Sequence, residues 1–178
     1  SFGEDVAAER NLVFGEELND SITGGAESDA LYGGADNDTL VGDGAGLDPM
    51  TAGDDLLDGG EGTDVADYSA EGGSSGITVT VVPIQPPATA PTLQVTDSYG
   101  KTDTLISIEM IIGTSMVDTV HLDALSGAGI GFDGGGGDDN LDGSAAMGDV
   151  TLFGGEGFDT VKGGEGDDLL GNVHAPNF

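Results

Sequence analysis

The chain has 178 residues, the size of one ordinary domain, with 34 acidic side chains against three basic ones and a formal net charge of -31. Three cations (Arg10, Lys101, Lys162) cannot neutralise a phosphate backbone or hold an anionic bilayer, which excludes nucleic acid and membrane surface as partners. No apolar run reaches the roughly 18 residues of a spanning helix, so no membrane insertion is expected. Ser1–Gly15 carries acids where a signal peptide needs an apolar core, so no leader is expected there. The absence of Cys removes disulfides and thiolate metal sites. With only 37 % hydrophobic residues, self-repulsion opposes any compact state. Such a chain is either disordered or folded around bound cations, and the placement of its acids decides which.

Residues 1–14 read as an N-terminal cap or docking segment. Ser1-Phe-Gly-Glu4 has the form of a capping box for one short helix. Alternatively, Asn11–Phe14 is a strand that pairs with a neighbour. From Gly15 to Asp67 the sequence repeats every nine residues in the frame G-G-x-G-x-D-x-U-x, where U is a large apolar residue. GGADNDTLV (33–41) and GGEGTDVAD (59–67) are full copies, while GEELNDSIT (15–23) and GGAESDALY (24–32) are weaker ones. Residues 42–58 fit as one repeat with an eight-residue insertion, ending in Gly53, Asp55 and Leu57.

Residues 68–112 change in composition. Ile77–Val82 alternates as a strand, and Thr92–Thr96 is a second strand. Pro83, Pro86, Pro87 and Pro91 between them break helix and ladder alike, which predicts a hairpin-like excursion with a long loop. Thr104–Gly113 follows as a continuous apolar stretch. The nine-residue frame returns over residues 113–171. GGGGDDNLD (134–142), GGEGFDTVK (154–162) and GGEGDDLLG (163–171) are clear copies, and Gly113–His121 keeps Asp118 and Val120. Leu122–Asp133 and Gly143–Phe153 keep an apolar U residue (Phe132, Leu152) but have no Asp at the ligand position. Residues 172–178 form a short tail.

The frame has a physical reading of its own. Consecutive glycines permit a tight turn that aims several carbonyls at one point, and the Asp adds a carboxylate oxygen. Calcium takes six to eight such hard oxygens. The x-U-x that follows is a very short strand with one inward side chain. Nine residues are then half a coil, and eighteen are a full turn with two strands and two loops. The inward positions are Ile22, Leu31, Leu40, Leu57, Ala66, Val120, Phe132, Leu141, Leu152, Val161 and Leu170.

In this frame the chain resembles the RTX (repeats-in-toxin) calcium-binding nonapeptide family. The resemblance implies an all-β fold: a right-handed parallel β-roll, or β-solenoid, in two calcium-binding repeat blocks joined by a metal-free solenoid segment. It implies calcium held between loops of successive coils on each side. Asp67-Tyr68-Ser69 and Thr102–Glu109 look like the metal-free interruptions of that family. On this register Asp20, Asp38 and Asp64 stack on one side of the first block, and Asp29 and Asp55 on the other. Asp118, Asp139 and Asp159 stack on one side of the second block, with Asp168 as a half-site opposite. Roughly five or six calcium ions are expected, which would bring the charge to roughly -20.

Matches to catalytic motifs lack their context. Gly72–Gly76 spells G-x-S-x-G around Ser74, but in a Gly/Ser linker rather than at a strand–turn–helix elbow. Gly129, Gly131 and Gly134 spell G-x-G-x-x-G with no βαβ unit following. His121 and His174 read as surface residues, and the paired acids (Asp54-Asp55, Asp138-Asp139, Asp167-Asp168) fall in the calcium frame. No enzyme activity and no small-molecule substrate are expected. Two readings remain: a bacterial extracellular structural unit that self-associates head to tail through open solenoid ends, or a calcium-dependent folding or adhesion module of a larger type I-secreted protein.

Overall fold

The computed structural model describes residues 10–82, 92–122 and 129–172. The capping box at Ser1–Glu4, the proline loop and His174 lie outside the described residues. Each x-U-x of the frame forms a short strand, because one apolar side chain per half-coil is enough to bind it to an inner column. The first block contains β1 (Leu12–Glu16), β2 (Ser21–Thr23), β3 (Ala30–Ala35), β4 (Thr39–Val41), β5 (Leu56–Glu61) and β6 (Val65–Asp67). The waist contains β7 (Thr78–Val82), β8 (Thr92–Thr96), β9 (Thr102–Ile106) and β10 (Met110–Ile112). The second block contains β11 (Thr119–His121), β12 (Ile130–Asp133), β13 (Asn140–Asp142), β14 (Val150–Phe153), β15 (Thr160–Lys162) and β16 (Leu169–Gly171).

The strands form two facing sheets of a parallel β-roll. One sheet runs β2-β4-β6-β10-β12-β14-β16, and the other β1-β3-β5-β9-β8-β7-β11-β13-β15. Register places the U residues in line. Ile22, Leu40, Ala66, Ile111, Phe132, Leu152 and Leu170 form one inner column. Val13, Leu31, Leu57 and Leu105 begin the other, and Val79, Val120, Leu141 and Val161 end it. Of the inward residues expected from sequence, nine are fully buried. Val161 is half-buried and Leu170 is 43 % exposed, because no further described coil covers them. Each fully buried Leu, Ile or Phe contributes about 1.5–3 kcal/mol.

The waist departs from simple winding. The apolar stretch expected as one unit over Thr104–Gly113 is two strands, divided at Ser107, whose φ of 50° turns the chain between sheets. β7 and β8 are antiparallel, as are β8 and β9. The hairpin read from sequence is therefore present, and it lies inside the sheet rather than beside it. Between β5 and β11 the second sheet holds three strands, while the first spans the same distance with β10 alone beyond β6. Two extra strands lengthen that sheet by roughly 10 Å. A groove of about 710 Å³ is lined from both blocks and the waist, by Asp20, Asp38, Met110, Ile130 and Thr151 among others.

Candidate metal centre

The aspartates of the frame sit in the loops that precede the strands, and each reaches from one coil to another. Asp20 N–H donates to Asp38 Oδ1 at 2.8 Å, and Asp38 N–H to Asp64 Oδ1 at 2.8 Å. On the opposite edge Asp29 N–H donates to Asp55 Oδ1 at 2.8 Å. In the second block Asp118 N–H donates to Asp139 Oδ1 at 2.8 Å and Asp139 N–H to Asp159 Oδ1 at 3.0 Å. Val150, which stands at the ligand position of its repeat, donates its N–H to Asp168 Oδ1 at 3.1 Å. The groupings expected from sequence are thus the groupings in space. Asp118, Asp139 and Asp159 precede strands of the same sheet as Asp29 and Asp55, whereas Asp168 shares the edge of Asp20, Asp38 and Asp64.

Two further acids that sequence reasoning did not select carry both ladders into the waist. Asp55 N–H donates to Asp103 Oδ1 at 2.9 Å, and Asp64 N–H to Glu109 Oε2 at 2.9 Å. Asp103-Thr104-Leu105 keeps the D-x-U of the frame, so a signal for the first existed. The paired acids have separate tasks. The second of each pair accepts from an earlier coil, whereas the first accepts from a later one in two of the three: Asp54 Oδ1 from Thr102 N–H and Asp138 Oδ1 from Phe158 N–H. Asp167 instead donates its N–H back to Asp149 Oδ1 at 2.8 Å.

One oxygen of Asp29, Asp38, Asp55, Asp64, Asp118, Asp139 and Asp159 is therefore used. The other divides the aspartates into two groups. Oδ2 of Asp20, Asp29, Asp38, Asp55, Asp64, Asp139 and Asp159 is buried without a hydrogen-bond partner. Asp118 is different, since its Oδ2 accepts from Thr114 N–H at 2.8 Å while Oδ1 accepts from Thr114 Oγ1 and Ile77 N–H. Asp103 Oδ2 likewise accepts from Tyr68 Oη at 3.0 Å. A buried carboxylate oxygen with no donor is costly. Burial accordingly pushes the Asp55 and Asp139 carboxyls up to about 7 and raises those of Asp29, Asp38 and Asp64.

Beside the orphaned oxygens of Asp20, Asp29, Asp38, Asp64 and Asp139 lies a carbonyl of the next coil. A Cβ added at Gly33 would meet both Asp38 Oδ2 and the Gly59 carbonyl, and one added at Gly134 would meet Asp139 Oδ2 and the Gly154 carbonyl. The first glycine of the frame thus leaves room for an oxygen-lined cradle. The second and fourth positions turn the loop through positive φ, as Gly60 (102°) and Gly62 (155°) do. Where glycine is missing there, Glu16, Leu18, Glu27 and Asp36 adopt the same left-handed conformation with φ of 68–79°.

Oxygen donors alone, part carboxylate and part carbonyl, suit a hard divalent cation and above all calcium. Among the described residues no three His, Cys, Asp or Glu side chains converge on one point, so an ion held here relies on backbone carbonyls as well. The protein offers little alternative neutralisation, since the only ion pair among the described residues is Lys162 Nζ to Asp142 Oδ2 at 2.9 Å.

The model of the RTX calcium-binding nonapeptide repeat matches residues 14–45, 51–70 and 148–171, with 4 copies. The chain thus carries RTX-type repeats over these residues, in agreement with the loop geometry. No curated protein gives a match to it. Repeats of this kind bind calcium and typically occur in secreted bacterial proteins.

Proposed function

We propose that this is a non-enzymatic, secreted calcium-binding β-roll that stacks head to tail as an extracellular structural unit, in a filament, surface layer or matrix. The observation that carries the reading is the polarity of the ladder together with its end strands. In every ladder step an N–H of an earlier coil meets an acceptor side chain of a later one. The step from the last described coil to the first of a second copy keeps that sense, bringing Asp168 N–H toward Asp20 and Asp159 N–H toward Asn11. Apolar surface is present at both ends: Leu12 and Phe14 on β1 are 64 % and 55 % exposed, and Leu169 on β16 is 55 % exposed. Such an interface is heterologous and extends without closing. Calcium contributes by offsetting the repulsion between copies that each carry a net charge of -31.

Ser74 supports the non-enzymatic part of the reading. It lies in a bend between β6 and β7 with its N–H on the Ser98 carbonyl at 3.1 Å, away from any strand–turn–helix elbow. Sedimentation velocity in millimolar calcium tests the assembly. Large polymers that dissolve in chelator, and that Phe14→Asp or Leu169→Asp abolishes, are the expected result. A monomer at all concentrations in calcium would support a folding or adhesion module instead.

A further inference from the structure

Two buried acids, one in the first block and one in the waist, stand outside the ligand-Asp position of the nonapeptide frame. Asp43 follows Gly42 at the start of the inserted 42–55 loop, and Asp97 lies in the turn between β8 and β9. Both are 1 % exposed, and Oδ2 of each is buried with no hydrogen-bond partner. Asp97 Oδ1 is already supplied by the N–H groups of Tyr99 (3.0 Å) and Lys101 (2.6 Å), which turns Oδ2 the other way. Asp43 Oδ1 has only a long contact from Gly53 N–H at 3.4 Å. The two carboxyl groups interact directly with each other, with no donor between the orphaned oxygens. Tyr99 Oη ties the same two segments together by donating to the Gly44 carbonyl at 3.2 Å.

We infer that Asp43 and Asp97 hold one further calcium ion, which clamps the inserted loop of the first block to the β8–β9 turn. Two carboxylates that face each other in a buried site repel unless a proton or a cation lies between them. The oxygen-only donor set selects a hard cation. Burial, and then the charges of Asp55 and Asp97, push the Asp43 carboxyl up, as expected of a group without its counter-ion. Asp55, which is 3 % exposed, contributes another unpartnered Oδ2 to the same region, so this ion would adjoin the Asp29–Asp55 step. The segment read from sequence as metal-free would then carry calcium at its junction with the first block. The inference depends on the calcium reading of the repeats only for the identity of the ion.

The test is the calcium stoichiometry of the full chain against Asp43→Asn/Asp97→Asn, by equilibrium dialysis at pH 7.5. The substitutions remove charge and keep shape. The expected result is one ion fewer per chain with the remaining ions retained. An unchanged count overturns this inference alone, whereas a wild-type chain that binds no calcium overturns the repeat reading with it. Terbium gives a second readout if the double variant does not fold. The chain has no Trp and three Tyr, so emission excited through tyrosine reports an ion close to one of them. Tyr99→Phe is expected to lower that emission at least about twofold, and unchanged emission would overturn the site.

Discussion

The steps at Asp38 and at Asp103 close the same gap between coils in different ways. In both, a backbone N–H of the previous coil reaches Oδ1, from Asp20 to Asp38 and from Asp55 to Asp103. At Asp38 the second oxygen is left buried without a partner. At Asp103 it accepts the hydroxyl of Tyr68, which is itself 1 % exposed. One step leaves a buried oxygen free for an ion and the other carries its own donor. Asp118 follows the second pattern through Thr114. A third solution appears at Val150, where an apolar residue replaces the acid and packs 2 % exposed into the core. Metal dependence in this fold is thus expected to be local, set step by step by what faces Oδ2.

The strongest way to break the comparison is to remove the ion. Chelation at neutral pH should lower the thermal midpoint by well over 10 °C, since two or more ions at 100-fold their Kd supply at least about 5 kcal/mol. Circular dichroism melts in calcium and in chelator measure this. Acid should partly replace calcium. Asp55 and Asp139 have folded values near 7 against a reference of 3.8, so their ionisation opposes the metal-free fold. A carboxyl raised in this way favours folding fully below pH about 4, and that contribution is lost as pH rises through about 7. The chelated chain is therefore expected to gain structure on acidification from pH 7.5 to about 4.5, while chelated stability that rises with pH would contradict it.

Smaller changes separate the two kinds of step. Gly33→Ala places a methyl between Asp38 Oδ2 and the Gly59 carbonyl and should cost about 2–4 kcal/mol in calcium with one ion lost. Gly129→Ala meets only the Asp149 carbonyl at 3.5 Å and serves as a near-neutral control. Tyr68→Phe strands Asp103 Oδ2 and should cost about 1–3 kcal/mol whether or not calcium is present, read from urea melts in both buffers. The smallest effect is a gain. Leu18 is 72 % exposed and holds φ of 77°, so Leu18→Gly should stabilise the roll by about 1 kcal/mol.

Much of this was legible because the frame is local. A glycine pair, an Asp at the sixth position and an apolar residue at the eighth fix the turn, the ladder and the inner column together, so Asp38 and Leu40 could be placed from nine residues alone. The β7–β8 hairpin was legible from alternation and prolines. Its position inside the sheet was not, because spacing along the chain does not say which neighbour a strand pairs with. Asp43 and Asp97 gave no local signal either. They meet only because the inserted loop and the β8–β9 turn fold onto each other, which no periodicity encodes. The closed state of Asp118 was hidden for a similar reason, since it depends on Thr114 standing where other repeats have glycine.

The most direct measurement is hydrogen–deuterium exchange at the ladder amides of Asp20, Asp29, Asp38 and Asp139, in millimolar calcium and in chelator at pH 7.5. These N–H groups donate to the carboxylates whose second oxygens are orphaned. The account predicts strong protection in calcium and its loss in chelator, with Asp55, whose acceptor Asp103 is closed by Tyr68, losing the least. Protection that is equal in the two buffers at every one of these amides would contradict the claim that calcium completes the fold.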